Sequence, residues 1–246
     1  MAFPSFRTVA QTSQVTEVTA WTMNLPATVE SGDLLIAFCA IDGAGSTITW
    51  DQSSHGTWTN QWTDSSTAGI SATCWAKVAD GTEDSGTLSL TVDAIEAGMM
   101  YAIAIQDWEG TLSGVSVGTF AGGNSANPDP PTVTAAGGSG DNLFIILQAN
   151  DSTRTATAYS ANYTDNQATA ASGGGVGAGF SVSSRNLAAS SDNPGTMTIS
   201  ASDNWTVNTI VVEPAAAGGP VITDVNTTES WTDGDTGLVI TGTDFV

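Results

Sequence analysis

Gly32-Asp33-Leu34-Leu35-Ile36-Ala37-Phe38-Cys39-Ala40-Ile41-Asp42 decides how this chain is read. Between a Gly-Asp turn and an Asp-Gly turn, the stretch is apolar at odd and even positions alike. Successive side chains of a strand point to opposite faces, so a strand of this kind must be covered on both. Gly140-Asp141-Asn142-Leu143-Phe144-Ile145-Ile146-Leu147-Gln148-Ala149-Asn150-Asp151 repeats the pattern 108 residues later.

Other segments follow in the same order. Gly195-Thr196-Met197-Thr198-Ile199-Ser200 answers Gly86-Thr87-Leu88-Ser89-Leu90-Thr91, and Arg185 answers Lys77. Thr209-Ile210-Val211-Val212-Glu213 takes the place of Ala102-Ile103-Ala104-Ile105-Gln106. Matched segments in one order at nearly one spacing indicate internal duplication. Ile70, Ala72, Cys74, Ala76 and Val78 alternate with more polar neighbours, the period of a half-buried strand. No segment carries a helical period. The expected fold is all-β: a duplicated, jelly-roll-like antiparallel β-sandwich, with Gly32 superposing on Gly140. Residues 1–109 form the first repeat and 110–214 the second, and whether they share one core is left open.

Lys and Arg number 4 against 25 Asp and Glu, a formal charge of −21. Nucleic acid and anionic membrane both select basic patches, so neither is expected as a partner. Acid scattered through turns is read as a solubilising, mutually repelling surface. No apolar run approaches the roughly 20 residues that span a bilayer. Met1 to Arg7 lacks the regions of a signal peptide, which predicts synthesis in a cytoplasm. Cys39 and Cys74 are then expected as reduced core thiols, with a disulfide conceivable if their strands are neighbours.

Chemistry is sparse. His55 is the only histidine and lies on a turn; without a nucleophile motif it is read as a loop residue, and no catalytic residue is assigned. One histidine and two strand-embedded cysteines do not make a zinc site. Asp80, Glu83 and Asp84, or Asp233 and Asp235, could offer oxygen ligands to calcium, but solvated turns are preferred because EF-hand spacing is absent. No cofactor is otherwise expected. Trp50 corresponds to Tyr159 and Trp58 to Tyr163, which argues for packing. Trp62 faces only Gln167 in the second copy, so it remains a possible exposed contact. Lys77 and Arg185 are expected to pair with local carboxylates.

Ala215-Ala216-Ala217-Gly218-Gly219 reads as a linker, residues 215–219. Beyond it, Pro220-Val221-Ile222-Thr223-Asp224-Val225 and Gly237-Leu238-Val239-Ile240-Thr241-Gly242-Thr243-Asp244-Phe245 resemble the opening of an IPT/TIG immunoglobulin-like domain. Over residues 220–246 that domain is incomplete, and the chain is expected to continue. Residues 1–214 resemble a family of tailed-phage virion proteins, through Leu25-Pro26, Gly32-Asp33-Leu34-Leu35, the aromatic loop from Thr47 to Trp58, Lys77-Val78-Ala79-Asp80-Gly81-Thr82-Glu83 and Pro194-Gly195. The resemblance implies a non-enzymatic structural component of the bacteriophage virion, a capsid decoration or head-fibre protein. Its partners would be a major capsid or tail protein and copies of itself, with a trimer favoured by analogy. The alternatives are a tail appendage or fibre component, or an adhesion module binding a cell-surface glycan.

Overall fold

The computed structural model describes residues 2–52, 55–170 and 177–216. The IPT/TIG-like segment and the pair Asp233 and Asp235 lie outside the described residues. Strands β1 (Ser5–Asn24), β2 (Leu34–Asp42), β3 (Ile48–Trp50), β4 (Thr59–Asp64), β5 (Ile70–Val78) and β6 (Thr87–Gln106) come from the first copy. A 3-10 turn at Leu112–Gly114 leads into β7 (Val115–Val117), β8 (Ala121–Ser125), β9 (Val133–Thr134) and β10 (Asp141–Asn150). The chain closes with β11 (Ala156–Ala158), β12 (Thr164–Ala170), β13 (Gly179–Ala188), β14 (Ser191–Asp192), β15 (Thr198–Ile199) and β16 (Asp203–Val212). Among the described residues there is no α-helix, and every strand pairing is antiparallel.

Each copy supplies one sheet. The first runs β1-β6-β2-β5-β4, with β3 added on β6. The second runs β12-β13-β10-β16-β7, with β8 added on β16. The doubly apolar strands β2 and β10 thus sit at the centres of their sheets. From β2, Leu34, Ile36, Phe38 and Ala40 enter a core that also receives Leu143, Ile145, Leu147 and Ala149 from β10. Phe180 of β13 meets Phe38 edge-on at 6.2 Å and Tyr101 of β6 at 5.4 Å. The two copies therefore share one central core and form a single compact unit, Met1–Ala215.

The outer faces are covered as well, which is why both strands carry apolar residues at every position. Leu35, Ala37, Cys39 and Ile41 pack under Trp21, Met23, Trp50, Trp58, Leu88 and Leu90. The long strands β1 and β6 make this possible. Their outer stretches, Ala20–Asn24 against Thr87–Thr91, pair beyond register shifts and carry β3. In the second copy Phe144 and Ile146 lie beneath Val133, Tyr163, Met197, Ile199 and Trp205, partly delivered by the small pairs β9–β14 and β11–β15.

The pairing register corrects one expectation. Leu35 stands opposite Lys77 in the first sheet, and Phe144 opposite Arg185 in the second. With Lys77 matched to Arg185, Leu35 matches Phe144, and Gly32 is level with Asp141 rather than Gly140. A one-residue slip exchanges the faces of a strand. The sequence could not reveal it, because β2 and β10 are apolar on both faces. The turns differ to match: Gly32 has φ +93°, whereas the second copy places its left-handed glycine at Gly138, φ +87°.

Candidate functional site

The four cations of the chain are all engaged with carboxylates. Arg7 Nε and Nη2 donate to Asp33 at 2.7 and 3.2 Å, and Arg7 Nη1 lies 2.9 Å from Glu30. Lys77 Nζ is 2.5 Å from Glu83, Arg154 Nε 3.6 Å from Asp203, and Arg185 Nε 3.5 Å from Asp192. Two of these pairs belong to the duplication. Lys77 and Arg185 occupy equivalent places on β5 and β13, and Glu83 and Asp192 follow at nearly the same spacing, Glu83 in a turn and Asp192 on the short strand β14. The expected pairing of Lys77 and Arg185 with local carboxylates is what the structure contains.

An aromatic neighbour completes the second site. Tyr163 donates its hydroxyl to Asp192 at 2.6 Å, and Arg185 lies 5.6 Å from the centre of its ring. Burial, reinforced by Asp192, pushes the Tyr163 phenol well above its ordinary range. In the first copy Lys77 also donates to the main-chain carbonyl of His55. Glu83 is fully buried and accepts the N–H groups of Asp80 at 3.2 Å and Gly81 at 3.0 Å. Asp80 accepts from the backbone and hydroxyl of Thr82, and Asp84 from the N–H of Val29. The carboxylates at Asp80, Glu83 and Asp84 are thus occupied in closing turns. Among the described residues no three His, Cys, Asp or Glu side chains converge as a metal site.

His55 is half-buried on a left-handed turn, φ 63°, with its ring against Gly86 where a Cβ would not fit. No Ser or Cys hydroxyl or thiol hydrogen-bonds that ring among the described residues. Cys39 and Cys74 lie on adjacent strands but point to opposite faces, into the outer and central cores respectively. They are free thiols that no rotamer could join, and burial pushes both well above the usual thiol range.

Trp62 is not an exposed contact. It is 6% exposed in the central core, its ring 5.7 Å from Phe38. The residue that answers it in the second copy, Gln167, is half-buried. Trp50 and Trp58 join the outer core of the first copy, as Tyr159 and Tyr163 join or flank that of the second. No aromatic side chain among the described residues is in the exposed range. A groove of about 570 Å³ lies between β1 and β3. Trp21 and Trp50 line it with Gln14, Thr22, Asp51 and Gln52, but both rings are nearly buried, at 2% and 4% exposure.

One feature escaped sequence reasoning. Asp42 ends β2 and Asp151 follows β10, equivalent positions in the two copies, and the two carboxyls stand close enough for Asp151 to act on Asp42. Asp42 Oδ2 accepts the N–H of Gly177 at 2.9 Å, and Asp151 Oδ2 accepts from Asn204 at 3.0 Å. Asp151 presses on Gly69, where a Cβ would not fit. Burial, then Asp151, pushes Asp42 up to about 7. The signal was present in the repeat, since each founding strand ends on or next to an aspartate. A sequence does not say that two such ends meet.

Compared with models of protein families, with curated proteins and with solved structures, the chain finds no match. Among the described residues no helix is long and apolar enough to cross a membrane.

Proposed function

We propose that this chain is a non-enzymatic structural protein of a tailed-phage virion, a capsid decoration or head-fibre protein anchored by residues 1–214. Residues 220–246, which resemble part of an IPT/TIG immunoglobulin-like domain, would belong to a spacer. The observation that carries this reading is the burial of the aromatic side chains. A glycan-binding module presents ring faces to stack on sugars, and an enzyme of this kind needs a base held beside a nucleophile. Among the described residues the rings are packed into cores and His55 has neither partner. What is left is a rigid, acidic, doubly covered sandwich whose cations are consumed internally. Such a surface suits a particle component that must not adhere to packaged DNA.

Trimers at local three-fold positions of a capsid follow by analogy with other decoration proteins. A tail appendage or fibre component would use the same module at another place on the particle. Antibody against the chain, applied to density-purified particles from cells that produce it, tests the reading. Many copies per particle are expected, accessible at the C-terminal side. Absence from particles overturns it, as does hydrolysis of a polysaccharide that His55→Ala abolishes.

A further inference from the structure

The outer stretch of β6 pairs with β1 on one side and with β3 on the other. Trp21, Leu90 and Trp50 of these strands enter the outer core. Successive side chains alternate, so Thr22, Ser89, Thr91 and Thr49 turn to the opposite face. Thr22 stands opposite Ser89, and Thr91 stands between Ala20 and Thr49. These residues, with Gln14, Asp51 and Gln52, line the groove of about 570 Å³. That volume falls within the roughly 300–1,000 Å³ over which proteins hold small molecules. Thr22, Thr49, Asp51, Gln52 and Thr91 are all exposed.

The lining narrows the chemistry of an occupant. Among the described residues it offers hydroxyls, amides and a single charge, the carboxylate of Asp51. None of the four cations lines it, so phosphates, nucleotides and acidic sugars would lack a counter-charge. An apolar ligand would lack a surface, because Trp21, Trp50 and Leu90 are each 4% exposed or less. Hydroxyls and amides both donate and accept, which matches a ligand whose own groups do both. We propose that this groove binds a neutral glycan, held by hydrogen bonds to its hydroxyls. It is not the ring-stacking platform that burial of the aromatic side chains excludes. Two of its side chains are fixed in advance. Gln14 Nε2 donates to the Thr16 carbonyl at 2.8 Å, leaving Oε1 to accept. Gln52 Oε1 accepts the N–H of Trp58 at 3.3 Å, leaving Nε2 to donate. Groups already held in place lose little freedom on binding. The binding does not depend on the virion reading; on a particle, it would hold that particle to a glycan-bearing surface.

Amide NMR of the isotope-labelled full chain tests this, with glucose, galactose, mannose and N-acetylglucosamine as probes at up to about 50 mM. At least one should shift the amides of Thr22, Thr49 and Gln52, with a Kd of about 1–10 mM, because each hydrogen bond is won from water. Thr22→Val and Thr49→Val keep the β-branched shape and remove one hydroxyl each. Each should weaken binding about two- to ten-fold while leaving the thermal midpoint in place. The uronic-acid form of the best hexose should bind at least about ten-fold more weakly, because its carboxylate meets Asp51. No shift at these residues with any probe overturns the proposal, as do shifts that both variants leave unchanged. A ten-fold preference for the 2-amino form of that hexose, which is a cation, also overturns it. Particles can carry the chain in many copies whatever these titrations show, so the two readings fail separately.

Discussion

At the scale of single residues, the chemistry of this protein is the handling of charge. With every cation paired elsewhere, the repulsion between Asp42 and Asp151 is relieved when Asp42 takes up a proton. Asp42 faces Asp151 beyond β10 and Glu96 of β6, and burial raises Glu96 as well; beyond Glu96 lie Glu17 and Asp93. Because the folded-state value of Asp42, about 7, lies above its ordinary value of 3.8, the stabilisation is complete below about pH 4 and is lost progressively as pH rises through 7. Thermal midpoints should therefore fall from about pH 4 to about pH 7 and level off above it, and Asp42→Asn should flatten that fall. A profile unchanged by the substitution, or one that rises over this range, contradicts the assignment. If calcium stabilises the wild type at about pH 8 but not Asp42→Asn, an ion takes the place assigned here to the proton. Lys77 and Glu83, 6% and 0% exposed, are a second case. Breaking a buried pair from one side costs about 3–5 kcal/mol, because the remaining charge is stranded. Lys77→Met should lower denaturant stability by that order, whereas exposed Glu30→Gln should change it by less than about 1 kcal/mol. Similar losses for the two would place Lys77 in solvent.

At the scale of elements, β2 and β10 govern packing. Phe38 is 1% exposed and touches both Trp62 and Phe180, so its ring spans the two copies. Truncating it to Ala, or Ile36 to Ala, should cost about 2–5 kcal/mol by removing contacts and leaving a cavity. Chemical denaturation reads this directly, and unchanged midpoints for both variants would make β2 peripheral. These strands also mark what was legible beforehand. Their length, double apolarity and repetition were plain in the residues, as were the Lys77 and Arg185 pairings, because burial demands a partner for such groups. The register was not legible, since alternation fixes faces only when one face is polar. Trp62 was misplaced for a related reason: comparison with Gln167 tested resemblance between copies, while burial depends on the opposing sheet. The meeting of Asp42 with Asp151 was hidden until the sheets were stacked.

At the scale of the whole molecule, duplication produced two sheets of one sandwich rather than two independent sandwiches. Each copy covers its own outer face, and each leaves its inner face to the other. Leu34, Ile36, Phe38, Ile103 and Ile105 would be uncovered without the second copy, as Leu143, Ile145, Phe180 and Ile210 would be without the first. Apolar surface on that scale is not stable in water for a small domain. The most direct measurement is a thermal melt, followed by far-ultraviolet circular dichroism, of residues 1–109 alone and of residues 1–216. The longer chain should melt in a single cooperative transition, and the shorter should show none or aggregate. A cooperative, monomeric melt from residues 1–109 would contradict the shared core.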